Sequence, residues 1–259
     1  MKRIYLILAE VFCVFTACQT LPVKGQAVEN KIAFQMDLPN GTMDVTADYA
    51  RKTVDGNDFL LNRNFIITRL FVDGQTVNPA DIVEQVTLFN DYAVNIYHLP
   101  VFENSVHVEY RGILSGETGV APYVTETIST DFTFLRWETF CHPLFASAEN
   151  LFEKLFDVFM LTMSVEVPKD YVVQFSGSNT TEKETDKGIT YTVSGNMPLF
   201  SYAAAIAQYR KTEYETGVYY FLPGTDMEKI HEMVETTMTK ANAFMREHYG
   251  ARKFPQNSG

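Results

Sequence analysis

Residues 231–235 read His-Glu-Met-Val-Glu, which opens as a zinc-binding helix opens. Two ligands four residues apart lie on one face of a helix and can share a metal. Here the second is Glu235 rather than histidine, and a catalytic zinc also needs a third protein ligand and an open water position. His231 and Glu235 are therefore assigned to the flank of an amphipathic helix. Cys141-His142 is the other suggestive pair, a nucleophile beside a base. Adjacent residues on a strand point to opposite faces, so Cys141 is expected to be a small buried hydrophobe. His107 alternates with Val106 and Val108 and is placed on the solvent side of its strand; His98 ends a strand, and His142 precedes Pro143. No two histidines share ligand spacing. Gly-x-Ser-x-Gly, a phosphate-cradling glycine loop and Cys-x-x-Cys do not occur, which leaves hydrolase-elbow, nucleotide and zinc-ribbon readings without support. No catalytic, cofactor-binding or metal residue is predicted. Asn40-Gly41-Thr42 and Asn179-Thr180-Thr181 match glycosylation sequons, patterns common by chance.

The remaining chemistry concerns the leader. Lys2 and Arg3 precede a mostly apolar run from Ile4 to Ala17, too short to span a bilayer but suited to a secretory segment. Phe15-Thr16-Ala17-Cys18 resembles a bacterial lipoprotein box, so residues 1–27 are read as a signal peptide with Cys18 lipidated. Cleavage near Gly25-Gln26-Ala27 and an uncleaved anchor stay open. The expectation is an exported protein at the bacterial periplasm or cell surface, touching the membrane through a lipid anchor only. With Cys13 lost and Cys18 acylated, Cys141 has no intrachain partner, which excludes a disulfide scaffold.

The 259 residues are 46% hydrophobic and 20% charged, which excludes a disordered, collagenous or multi-span membrane protein. Their 21 basic and 32 acidic residues give a net charge of −11, which argues against nucleic acid as a partner.

From residue 30 to about 195 the apolar pattern has period two. Ile32, Phe34, Met36 and Leu38 alternate with polar or small residues, and Met43, Val45 and Tyr49 resume after the Asn40-Gly41 hairpin signal. Phe65 to Val72, Tyr92 to Ile96, Val106 to Tyr110, Leu161 to Val167, Tyr171 to Phe175 and Ile189 to Val193 follow in the same manner. Many short alternating strands without intervening helices predict an antiparallel β-sandwich rather than a parallel sheet. Ser176 to Gly188 reads as a long surface hairpin, and residues 144–158 hold a short helix starting near Ser147. Leu199 to Tyr209 and Val218 to Leu222 read as two further strands. Residues 226–249 then change period, with Met227, Ile230, Val234, Met238, Ala241 and Phe244 three or four apart. Thr225 with Glu228 predicts a capping box, and Gly250 sits at the C′ position. The division is thus a sandwich over 28–210 and a strand-plus-helix piece over 211–259.

Tyr110-Arg111-Gly112 leads, after a loop, to Phe132-Thr133-Phe134-Leu135-Arg136-Trp137, with Phe140 and Pro143 beyond. Val165-Glu166-Val167-Pro168-Lys169-Asp170-Tyr171-Val172-Val173 comes next, then Met197-Pro198-Leu199-Phe200-Ser201-Tyr202-Ala203-Ala204-Ala205, and finally His248-Tyr249-Gly250-Ala251-Arg252-Lys253-Phe254-Pro255. This order is similar to the N-terminal part of the aminopeptidase N family, the membrane alanyl aminopeptidases, zinc metallopeptidases of the gluzincin type. The resemblance implies a saddle-like sandwich bordering a peptide-substrate cleft, followed by the opening strand and helix of a thermolysin-like domain. Family zinc is held by H-E-x-x-H and a distant Glu, and the substrate amine by a G-A-M-E-N-type strand; this chain contains neither motif. The Leu222-Pro223-Gly224 strand end lies, in the family pattern, well before the zinc helix. The resemblance therefore implies the non-catalytic N-terminal fragment of an exported hydrolase that removes N-terminal residues from peptides, inactive alone. The alternative is a complete surface lipoprotein whose sandwich binds protein or glycan.

Overall fold

The computed structural model describes residues 30–176, 180–214 and 217–250. The chain divides into two compact units between Ala207 and Gln208.

The first unit is built from strands whose burial alternates as their sequence does. In β1 (Asn30–Asp37) Ile32 and Phe34 are buried while Lys31 and Ala33 are exposed, and β2 (Thr42–Ala50) returns antiparallel after the Asn40-Gly41 turn. After β3 (Asp58–Asn62) come β4 (Phe65–Val72), the two-residue β5 (Gln75–Thr76), β6 (Val83–Thr87), β7 (Ala93–His98), β8 (Ser105–Gly112) and β9 (Thr133–Arg136). One helical turn, α1 (Leu151–Lys154), precedes β10 (Val158–Val167), β11 (Val172–Phe175), β12 (Thr180–Glu184), β13 (Ile189–Pro198) and β14 (Ala203–Ala207). Eight strands form one sheet in the order β12-β13-β10-β1-β2-β8-β4-β5. Two three-stranded sheets, β3-β7-β6 and β11-β14-β9, stand apart from it.

A single cluster of buried side chains joins all three. Phe34, Val45, Tyr110 and Met163 come from the large sheet, Phe59, Leu61 and Tyr97 from one small sheet, and Leu135, Val173 and Ile206 from the other. Burial of such apolar side chains contributes about 1.5–3 kcal/mol each. A second cluster on the far side of β3 and β7 packs Leu60, Val94 and Ile96 against Phe140, Leu144, Leu151 and Leu199. β3 is thus buried on both faces, which is why its consecutive Phe59-Leu60-Leu61 carries no alternation.

Several expectations are amended. One central pair is parallel: β1 runs alongside β10, Ile32 opposite Met163 and Phe34 opposite Val165. The intervening chain supplies the long crossover such a pair needs. The polar stretch from Ser176 to Gly188 contains an edge strand, the wholly exposed β12, paired to β13. Its Glu-Lys-Glu sequence keeps that edge from recruiting another chain. The short helix starts at Leu151, not near Ser147, whose backbone N–H instead donates to Asn150 Oδ1 at 2.7 Å. Leu199–Ser201 is a 3₁₀ turn rather than the start of a strand.

The second unit pairs β15 (Arg210–Tyr214) with β16 (Gly217–Phe221) and continues into α2 (Met227–Tyr249). Its cap is Asp226, whose carboxylate accepts from Lys229 N at 3.3 Å, so the predicted Thr225–Glu228 box lies one residue out of place. Gly250 takes a positive φ of 76° at the C-terminal end.

Candidate functional site

The most polar buried point in the first unit is the end of β9. Arg136 carries a side chain only 8% exposed, and its Nη2 pairs with Oε1 of Glu126 in the loop of residues 113–132. The guanidinium lies 5.3 Å from the ring centroids of both Tyr123 and Phe134, so two π-faces share the cation with the carboxylate. The loop folds on itself: Gly116 N donates to Glu126 O at 3.1 Å and Gly119 N to Val124 O at 2.7 Å. Leu114, Val120, Val124 and Ile128 are buried and anchor it. Glu126 Oε2 and Arg136 Nε are buried without hydrogen-bond partners. Glu126 also lines a cavity of about 10 Å³, with Asn62, Tyr92 and Thr139 among others, the lower limit for one water. Burial pushes the Glu126 carboxyl above its usual range against the opposing pull of Arg136, and burial raises Glu138 likewise. The node can bind the loop to the sheet and hold one proton-accepting oxygen in a dry place; it presents no nucleophile.

Beyond Arg136 the chain makes a 3₁₀ turn at Trp137–Thr139, and Phe140 adopts left-handed geometry with φ 49°. This break removes Cys141 and His142 from any strand, so the predicted opposition of their side chains does not arise; both are buried. Burial drives the Cys141 thiol up to about 12 and the His142 imidazole down to about 4. A protonated thiol beside a neutral ring is packing, not a catalytic pair. Two tyrosines of the alternating pattern, whose bonds to this segment the pattern did not foretell, fix it: Tyr110 Oη donates to Cys141 O at 2.7 Å and Tyr49 Oη to Pro143 O at 2.9 Å. Both are buried positions of the alternating strands, where a buried hydroxyl needs such a partner.

The other histidines sit at carboxylates. His107 Nδ1 is 2.7 Å from Asp48 Oδ1 and its Nε2 3.3 Å from Glu109 Oε1, with Arg69 on the same Glu109 oxygen at 3.2 Å. Partial burial lowers the imidazole, but the hydrogen bonds to the two carboxylates outweigh it and the net shift is upward. His98, the last residue of β7, lies 3.0 Å from Asp58 and 3.6 Å from Glu84. In the second unit His231 Nδ1 is 4.0 Å from Glu235 Oε1, and Tyr219 Oη donates to that oxygen at 3.5 Å. Among the described residues no three His, Cys, Asp or Glu side chains converge to hold a metal ion. The Tyr219 hydroxyl thus stands beside the His231–Glu235 pair. Cys18 and Asn179 lie outside the described residues; Asn40 is exposed in its turn, its Nδ2 donating to Asp37 Oδ2 at 2.8 Å.

No protein-family model matches the sequence, and no curated protein does. Solved structures do match. An M1 zinc metallopeptidase variant from Deinococcus radiodurans, bound to a Tyr-Ser-Ala substrate, aligns with TM-score 0.51 and 15% identity over 89% of this chain and 56% of its own. Native yeast LTA4 hydrolase aligns with TM-score 0.54 and 12% identity over 85% of this chain and 35% of its own. The chain therefore spans about half or less of these proteins. At such identities the likeness is one of fold: the chain has the mainly β architecture found in M1 zinc metallopeptidases of the aminopeptidase and LTA4 hydrolase kind.

Proposed function

We propose that this chain is the non-catalytic N-terminal portion of an exported zinc metallopeptidase resembling aminopeptidase N, a frame beside a peptide-binding cleft. The supporting observation is the fold correspondence over 85% or more of the chain with two metallopeptidase structures, in a sequence that has no H-E-x-x-H. Its role is positioning. The Arg136–Glu126 pair and the tyrosine bonds to residues 141–143 hold the loops at the β9 end rigid on the sheet, which is what a cleft wall requires. Zinc and hydrolysis belong to residues other than these, and peptide substrates to the complete enzyme. Export, with lipidation at Cys18 as the anchor to the periplasmic or outer surface, belongs to the same proposal.

The test is a peptidase assay of the 259-residue chain on aminoacyl anilides with zinc supplied. No turnover above buffer is expected; zinc-dependent turnover refutes the proposal. Sequencing downstream of the last codon separates it from a complete lipoprotein binding module. An uninterrupted continuation encoding H-E-x-x-H favours the first and an unrelated gene the second.

A further inference from the structure

Four phenylalanines stand outside the cores of the first unit, around α1. Phe89 and Phe152 are 4.8 Å apart between ring centroids, and Phe156 and Phe200 are 5.3 Å apart. Phe152 and Phe156 are four residues apart, on a helical turn that continues past α1 through the bond from Phe156 N to Glu153 O at 3.2 Å. The two pairs are thereby brought to one side of the turn. The residues are 47%, 51%, 68% and 39% exposed in the order Phe89, Phe152, Phe156, Phe200, and Val158, next in sequence but one to Phe156, is 61% exposed. Their base is firm: Leu151, Leu155 and Leu199 are buried beneath, and Phe200 N donates to Leu155 O at 3.2 Å.

Area and charge decide what this surface takes. At about 200 Å² per aromatic side chain, the exposed fractions amount to roughly 400 Å². That equals the largest patch of an ordinary monomer, often a functional one, and is about half of the ~800 Å² each partner gives to a standard interface. It is a seat for one short segment rather than for a second copy of the chain. The charged residues near these phenylalanines along the chain are Asp91, Glu149, Glu153, Lys154 and Asp157. The one cation among them, Lys154, is held 2.9 Å from Asp55 and 3.0 Å from Asp157, which leaves the surroundings negative. Such a field repels a second acidic copy and an anionic bilayer, and attracts cations.

We propose that the Phe89–Phe152–Phe156–Phe200 cluster docks a short amphipathic segment of a protein partner, apolar on one side and basic along its flanks. Aromatic anchors within a charged rim are the arrangement by which a helix is received on an apolar seat.

The probe is a fluorescent peptide of about 14 Leu and Lys residues patterned as an amphipathic helix, titrated with the full chain. A Leu/Glu peptide of the same pattern and a scrambled Leu/Lys peptide of the same charge serve as controls. Roughly micromolar binding is expected for the patterned basic peptide alone. Phe152→Ser with Phe156→Ser should weaken it about tenfold or more at an unchanged melting temperature, since both side chains are exposed. Glu153→Lys with Asp91→Lys should also weaken it and flatten its salt dependence. Equal binding of the scrambled or Leu/Glu peptide, or undiminished binding by the Phe152→Ser/Phe156→Ser chain, overturns the proposal. So does sedimentation as a dimer that the same two substitutions dissolve, or their loss of binding to phosphatidylglycerol vesicles.

Discussion

Replacing Arg136 with Met tests whether the buried ion pair holds the 113–132 loop to the sheet. The substitution keeps the stem's apolar volume between Tyr123 and Phe134 and removes the cation and its bond to Glu126. Glu126, with a side chain 13% exposed, is then a largely buried carboxylate without its cation. Breaking a buried pair from one side costs about 3–5 kcal/mol, and the low end applies because the carboxyl can take up a proton instead. A loss of about 3 kcal/mol at pH 7 corresponds to roughly 6–12 °C in melting temperature for a protein of this size. The pH dependence follows from the direction of the shift. Burial already raises Glu126, and without Arg136 only a backbone hydrogen bond to the carboxyl opposes it. A carboxyl raised in the folded state favours folding below its unfolded pKa and loses that contribution as pH climbs through the folded value. The penalty of Arg136→Met should therefore shrink from pH 7 to pH 5. Adding Glu126→Gln should recover at least about 1 kcal/mol at pH 7, because the stranded charge disappears. Thermal unfolding followed by circular dichroism at the two pH values reads all three. A single-substitution loss below about 1 kcal/mol, or a double variant no better than the single one, refutes the buried-pair reasoning.

Gly112 ends β8 where an added Cβ would lie 2.3 Å from the Phe65 side chain and 2.5 Å from Asn64 O, so Gly112→Ala should cost about 2–4 kcal/mol in urea unfolding. Retention of full stability would show that β4 yields there. The Cys141 thiol, buried and raised to about 12, should stay unreactive to a thiol reagent until the chain unfolds; modification of native protein within minutes would contradict its placement. His107, raised by Asp48 and Glu109, contributes stability below its unfolded pKa that is lost as pH rises through the higher folded value. His107→Gln should accordingly lower the melting temperature at pH 5.5 and leave it nearly unchanged at pH 9, and a pH-independent loss would assign the residue to packing alone.

The strands with one wet face were readable because alternation is a direct record of that face: β1, β2, β4, β8 and β13 lie where the period-two runs lie. β3 was not, since both its faces are covered and Phe59-Leu60-Leu61 has no rhythm; β6 was not, since Val83–Thr87 is almost wholly exposed. The helix from Met227 announced itself by period, but its cap turns on which of two adjacent residues, Thr225 or Asp226, takes the N-cap position, and Asp226 takes it. The Arg136–Glu126 node was invisible because nine residues, six of loop and three of β9, separate the partners and nothing local marks either as buried. The histidine and cysteine pairs stood out in the sequence, yet the structure surrounds them with packing or carboxylates. What distinguishes a reactive pair is its surroundings, which spacing alone does not encode.

β1 lies fourth in the eight-stranded sheet, hydrogen-bonded to β2 on one edge and β10 on the other. The hairpin it forms with β2 closes locally and early, whereas its second edge waits for a strand whose first residue is Val158. During synthesis that greasy strand stands half-zipped while more than a hundred further residues arrive. Completion of the sheet thus waits on one distant pairing, and until it forms the open side of Asn30–Asp37 is an unpaired edge.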